Sequence, residues 1–208
     1  MLKPNQKSES SKKNQVEKMF DSISFEYDLL NGIMTFNNHK RWKKNILNIA
    51  KKLKPKNALD IATGTADIAI NLGSIPDCKV TGVDISEKML NVGREKISKM
   101  KLSESVSLET GDAENLNFKD NHFDLVTIGF GVRNFQDLQN GLKESFRVLN
   151  EKGTLIILET SVPENKIMKL LYSIFTRTYI PLMARLFSKD ISAYNYLLNS
   201  AEAFPCGQ

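Results

Sequence analysis

The sequence predicts an α/β protein: an open, mostly parallel, doubly wound sheet with helices on both faces, preceded by an amino-terminal helical cap. From residue 58 onward, short apolar runs alternate with helical segments over short connections, the pattern of parallel strands joined by crossover helices. The run FDLVTIGF at 123–130 is almost continuously apolar, as a central strand buried on both faces must be. SVSLET at 105–110 alternates polar and apolar, as an edge strand does.

The elements follow in chain order. Residues 1–14 read as a flexible basic tail and 15–208 as a single domain. Residues 1–18 hold five lysines and two glutamates, so +3 of the formal +5 sits there. From Val16 to Leu53 the chain reads as helical. Val16, Met19, Phe20 and Ile23 form one apolar face, Trp42, Ile46, Leu47 and Ile49 a second, and Pro55 closes the segment. Ala58–Ile61, Val80–Val83, Val106–Leu108, Phe123–Ile128 and Thr154–Leu158 are the candidate strands. Helices are expected over Thr65–Gly73, over Glu87–Lys99 with Ser86 as N-cap, and over Leu138–Leu149. The last of these spaces Leu138, Leu142, Phe146 and Leu149 at helical intervals before Lys152-Gly153 ends it. Lys166–Phe187 is strongly apolar, but Lys169, Arg177, Pro181 and Arg185 leave no uncharged run longer than seven residues, so it reads as an amphipathic helix and not a membrane span.

At 208 residues and 41% hydrophobic content, one substantial core is the natural expectation. Cys78 and Cys206 show neither ligand spacing nor a paired framework, so no metal is expected and a reducing, cytoplasmic setting is the simpler reading. The polar, lysine-rich amino terminus has no apolar stretch resembling a secretory signal. Because most of the positive charge lies in the tail, and the other basic residues are not gathered with aromatics, a nucleic-acid partner is not expected.

In open parallel sheets, ligands sit at the carboxyl ends of the strands, most often at the first strand-to-helix turn. Here that turn is LDIATGTAD, Leu59–Asp67. A dinucleotide requires backbone amides and successive glycines facing a pyrophosphate. This turn has one glycine, Gly64, between Ala62 and Ala66, and is bracketed by Asp60 and Asp67. Two carboxylates repel a pyrophosphate, which disfavours a nicotinamide dehydrogenase, but suit the sulfonium and ammonium of S-adenosylmethionine. Asp84 ends the second strand 24 residues after Asp60, where a carboxylate accepts ribose hydroxyls, and Asp112-Ala113 stands just past the third strand, in reach of an adenine. Asp60, Gly64, Thr65, Asp84, Asp112, Ala113 and Gly129 are therefore the candidate cofactor-binding residues. The competing reading is that Asp67 and Asp84 only cap helices.

Further segments carry a resemblance: MFDSISFEYDLLN, HKRWK, LDIATGTADIA, GDAENLNFKDNHFD, IGFGVRNF, RVLNEKGTLIILE and SAYNYLLNSAEAFP. Over about Val16–Pro205 the chain resembles the UbiE/MenG family of quinone-biosynthesis C-methyltransferases, with FGVRNF and the tyrosine-rich end as its specific marks. The resemblance implies a Rossmann-like class I methyltransferase sheet. It departs from the family where Ala66 replaces a common glycine, where Asn150-Glu151 replaces lysine and proline, and where the chain ends at Gln208. The family continues there for a helix and two strands, so those strands are expected to be lacking and the fifth strand to be an open edge, which gives a reason to look for oligomers.

The resemblance implies C-methylation of a prenylated quinol with S-adenosylmethionine as donor, demethylmenaquinol being the first expectation. A polyprenyl-benzoquinol acceptor and a catalytically impaired cofactor-binding remnant are the alternatives. Arg133, with Asn134 beside it, would stabilise the developing phenolate; its competing reading is a structural ion-pair partner. Tyr27 and His39 are secondary candidates, although His39 between Asn38 and Lys40-Arg41 reads more readily as a surface residue. Lys166–Phe187 is the candidate receiver for the prenyl tail, with ordinary core packing as its competing reading, and an enzyme acting on such a lipid is expected to make peripheral contact with the inner face of a membrane.

Overall fold

The computed structural model describes residues 2–188 and 190–204. Pro205 of the carboxyl-terminal motif and Cys206 lie outside them. The elements in chain order are α1 (Lys12–Ile23), α2 (Tyr27–Met34), α3 (Asn38–Leu53), β1 (Asn57–Ile61), α4 (Asp67–Leu72), β2 (Lys79–Asp84), α5 (Glu87–Lys99), β3 (Val106–Thr110), β4 (Phe123–Gly129), a 3-10 turn (Val132–Asn134), α6 (Leu138–Val148), β5 (Leu149–Leu158), α7 (Lys166–Phe187) and α8 (Ile191–Ala203). The chain forms two compact units, Lys40–Glu159 and Met1–His39 with Thr160–Gln208.

The larger unit holds the sheet, in the order β3-β2-β1-β4-β5 and parallel throughout. This is the doubly wound topology the sequence predicts, with β3 at one edge and β4 inside. β5 is the other edge, with β4 as its strand neighbour among the described residues. The chain reverses direction at β1: it runs through β2 to β3, then returns to β4 on the other side. The carboxyl ends of β1 and β4 therefore flank the switch point where such folds bind ligands. Ala58, Leu72, Val80, Val106 and Leu125 pack with Ile46 and Ala50 of α3 and Ile68 of α4 into one core.

Two expectations of the helix pattern are corrected here. α6 ends at Val148 and runs directly into β5 at Leu149, so Lys152-Gly153 lies in the strand. Its buried face is Gly141, Ser145 and Val148, whereas Phe146 is 63% exposed. The small residues win this face because α6 lies close against Phe135, where a Cβ at Gly141 would stand 2.4 Å from the ring. In α3, Ile46 and Ala50 are buried but Trp42 and Ile49 are partly exposed, so the inward stripe is narrower than the apolar pattern.

The smaller unit is helical. The segment read as one long helix from Val16 breaks twice. α1 begins at Lys12, inside the stretch read as tail, because Ser11 caps it through a hydrogen bond from Asn14 N (3.2 Å). The Gln15 side chain holds the preceding strand of chain by accepting from Asn5 N (2.8 Å) and donating to Ser10 O (2.9 Å). Between α2 and α3, Phe36 and Asn37 adopt left-handed backbone, and Asn37 N returns to Gly32 O (2.8 Å), closing α2 in the manner of a helix C-terminus. α7 and α8 complete this unit.

Candidate active site

The turn after β1 is wound tightly: Ala62, Gly64 and Ala66 all have positive φ (53°, 55° and 66°). Ala66 thus occupies a left-handed position that glycine fills without strain, and its methyl is fully buried. The turn is held from two sides. Thr63 N donates to Val83 O of β2 (3.0 Å). Asp84, at the carboxyl end of β2, accepts from Gly64 N on one carboxylate oxygen (2.8 Å) and from Ser86 N on the other (2.9 Å). One side chain therefore fixes the turn after β1 and the start of α5, where Ser86 caps the helix by accepting from Met89 N (3.2 Å). Asp84 is more than a helix cap.

The two carboxylates bracketing the turn are differently placed, and neither is bare. Asp60 is 1% exposed and accepts from Thr63 Oγ1 and Thr127 Oγ1, each at 2.6 Å. Burial pushes its pKa up to about 6, with the two hydroxyls and the Lys43 charge offsetting part of the effect. Asp67, in the first turn of α4, is paired with Lys43 Nζ (2.8 Å) and with Lys96 Nζ, which also donates to Thr65 Oγ1 (3.2 Å). Burial alone would raise its pKa, but the two ammonium groups outweigh it and bring the value to about 2. The negative bracket inferred from the sequence is therefore balanced on one side: Asp67 carries two cations, whereas Asp60 is buried with its carboxyl held above the usual carboxylate range. Lys43 and Lys96 escaped the sequence reading because they lie 24 and 29 residues from Asp67.

After β3, Asp112 Oδ1 accepts from Glu114 N (2.9 Å), forming a tight turn that buries Ala113. Glu114 in turn accepts from Gln136 N (2.5 Å), tying this turn to the segment after β4.

That segment, at the end of β4, is strained and close-packed. Gly129 is a packing position: a Cβ there would stand 2.2 Å from Ile68 Cδ1. Phe130 has φ 59°, uncommon for so bulky a residue. Its N–H donates to Leu158 O (2.7 Å) and its carbonyl accepts from Arg133 Nη1 (2.8 Å). Arg133 is also ion-paired with Glu159, and both side chains are under 10% exposed. The ion-pair reading of Arg133 is thus realised in the structure, with a partner the sequence reading missed. Asn134 Oδ1 is buried and, among the described residues, accepts no hydrogen bond. Phe130 lies against Trp42, ring centroids 6.1 Å apart and planes tilted by 56°.

The sheet unit thus brings together Asp60, Gly64, Thr65, Asp84, Asp112, Ala113, Gly129, Arg133 and Asn134. Tyr27 and His39 belong to the helical unit. Tyr27 starts α2 with its ring edge-on to Phe20 (6.0 Å). His39 is 5% exposed, with Nδ1 2.7 Å from Thr35 Oγ1, which corrects its expected surface position. Along α3, Ile46 and Ala50 follow at seven and eleven residues, about two and three turns, a spacing the sequence could have shown.

Residues 7–208 match the model of the ubiE/COQ5 methyltransferase family. The chain is 43% identical to a demethylmenaquinone methyltransferase of Bacteroides fragilis over 201 residues, 96% of this chain and 82% of that protein. It is 42% identical to a protein of the same name from Staphylococcus epidermidis over 197 residues, 94% of this chain and 80% of that one. Among solved structures, a SAM-dependent methyltransferase from Thermotoga maritima superposes with a TM-score of 0.56 at 24% identity, covering 88% of this chain and 79% of that one, a likeness of fold.

Proposed function

Because the chain belongs to the ubiE/COQ5 methyltransferase family, we propose that it transfers a methyl group from S-adenosylmethionine to a ring carbon of a prenylated quinol, demethylmenaquinol being converted to menaquinol. The observation that carries the choice of acceptor is the identity of 43% over 96% of the chain to a protein named for that reaction.

The residues present fit the donor. Asp84 stands at the carboxyl end of β2, its carboxylate fixed there by the Gly64 and Ser86 amides, one on each oxygen. Among the described residues, Asn134 Oδ1 is a buried acceptor without a donor. When bound, S-adenosylmethionine supplies an electrophilic methyl on a positively charged sulfur. Asp84 would accept the ribose hydroxyls, Ala113 and Asp112 would meet the adenine, and Gly64 and Thr65 would line the methionine portion. A quinol carbon becomes nucleophilic when its ring hydroxyl loses a proton, so the protein must favour the phenolate, hold the carbon in line with the sulfur–methyl bond and keep water out. The Arg133 guanidinium is the cation nearest in sequence to the end of β4 and would stabilise that phenolate, with Asn134 beside it.

Among the described residues no helix is long and apolar enough to cross a membrane. Contact from one side is the form of association that suits α7. The helix carries Lys166, Lys169, Arg177 and Arg185 and no acidic residue, and exposes Ile167, Leu170, Leu171, Ile174, Leu182 and Leu186. That composition suits the anionic inner face of a membrane and the prenyl chains within it. Among the described residues β5 is an edge strand, and such an edge suits self-association.

The deciding experiment is transfer of labelled methyl from S-adenosylmethionine to reduced demethylmenaquinone by the purified chain. Saturable donor binding with no transfer would leave only a cofactor-binding protein. Transfer to a benzoquinol in preference to the naphthoquinol would reassign the acceptor.

A further inference from the structure

We propose that Phe130 and Trp42 form an aromatic wall for the ring of the methyl acceptor, and that the left-handed backbone at Phe130 is strain retained to present it. The inference deepens the proposed reaction and rests on it for the acceptor's chemistry.

Topology gives the first part. The groups suited to an adenosine, Asp84 and the Asp112-Ala113 turn, follow β2 and β3, on one side of β1 in the sheet order. β4 lies on the other side of β1. A donor whose adenosine occupies the β2–β3 side directs its methyl end across β1 towards the carboxyl end of β4, which is where Phe130 stands. The turn at Phe130 is pressed onto the cofactor turn: a Cβ at Gly131 would come within 2.5 Å of Ala62 Cβ.

Strain gives the second. A phenylalanine at φ 59° persists only when its surroundings over-determine it, and strained residues of this kind cluster at ligand sites. Here both backbone groups are tied, N–H to Leu158 and carbonyl to an arginine that is itself charge-paired with buried Glu159. Glycine or asparagine would occupy the position with less strain. What they lack is the ring, which is half-buried and leans on Trp42, itself 38% exposed. A tilted aromatic pair with accessible faces is suited to stacking a flat quinol.

Trp42 is the chain's single tryptophan, so its fluorescence reports on this wall directly. Titration of the purified chain with a short-chain demethylmenaquinone should quench that fluorescence saturably. In Phe130→Asn and Phe130→Leu the midpoint should rise about tenfold, with S-adenosylmethionine affinity by calorimetry held within about twofold. Phe130→Asn, which tolerates left-handed backbone, should unfold at no lower urea concentration than the native chain, separating loss of the ring from loss of the fold. Absence of saturable quenching in the native chain, or an unchanged midpoint in both variants, overturns the proposal. Quenching with no methyl transfer would instead refute the proposed reaction and leave the aromatic wall standing.

Discussion

Replacing Asp60 by asparagine tests whether the acid at the end of β1 is held against its own charge. In the folded chain its pKa is pushed up to about 6, from an ordinary value of 3.8, because burial disfavours the carboxylate more than the Thr63 and Thr127 hydroxyls and Lys43 favour it. Below pH 3.8 the group is protonated in both folded and unfolded chains and contributes no pH dependence. Between about 3.8 and 6 the unfolded chain releases its proton while the folded chain keeps it, so stability falls as pH rises. Above 6 the full difference, about 3 kcal/mol, has been lost. Asparagine cannot ionise and can still bond to both threonines, accepting from one hydroxyl and donating to the other. Urea unfolding of both proteins from pH 4 to 8 should therefore show the variant gaining on the native chain as pH rises, by about 2–3 kcal/mol at pH 7.5. Parallel stability curves with a constant offset would refute the assignment and show that Asp60 is ionised in the folded state throughout.

Asp67 should behave in the opposite sense. Its folded pKa of about 2 lies below the ordinary value, so its ionised form stabilises the protein by about 2–3 kcal/mol above pH 4, a contribution lost as pH falls through 2. Asp67→Asn, which also leaves Lys43 and Lys96 facing each other, should lower the unfolding free energy at pH 7 by at least that amount, measurable by urea denaturation. Asp84→Ala removes the acceptor for Gly64 N and Ser86 N as well as the expected ribose contact. Charge-assisted bonds of this kind predict a loss of about 1.5–3 kcal/mol in S-adenosylmethionine affinity by calorimetry, and unchanged affinity would remove Asp84 from the site. Gly129→Ala should destabilise by about 1–3 kcal/mol through overlap with Ile68, and Ile68→Val, by withdrawing Cδ1, should recover part of that loss in a double-mutant cycle.

The sheet was legible in the sequence because strand burial is written locally. FDLVTIGF is apolar on both faces and proves internal, and SVSLET alternates and proves an edge. The helix faces were less legible. The α6 pattern pointed to Phe146, yet contact with Phe135 selects Gly141, Ser145 and Val148. Which face of an amphipathic helix lies inward depends on the shape it meets as well as on its own hydrophobicity. The break between α2 and α3 rests on left-handed backbone at Phe36 and Asn37, a phenylalanine giving no warning of it.

At the site, the sequence by itself determined which groups are present at the carboxyl ends of the strands: the turn around Gly64, Asp84 at the end of β2, Asp112-Ala113 after β3 and FGVRNF after β4. Short-range spacing fixes these, since each follows its strand directly. Tertiary structure alone decided their electrical state and their backbone strain. Asp60 and Asp67 are the same residue type seven positions apart, yet one is desolvated towards its neutral form and the other is held ionised by Lys43 and Lys96. Charge depends on neighbours through space and on access to water, and neither distance nor burial is encoded in the order of residues along the chain.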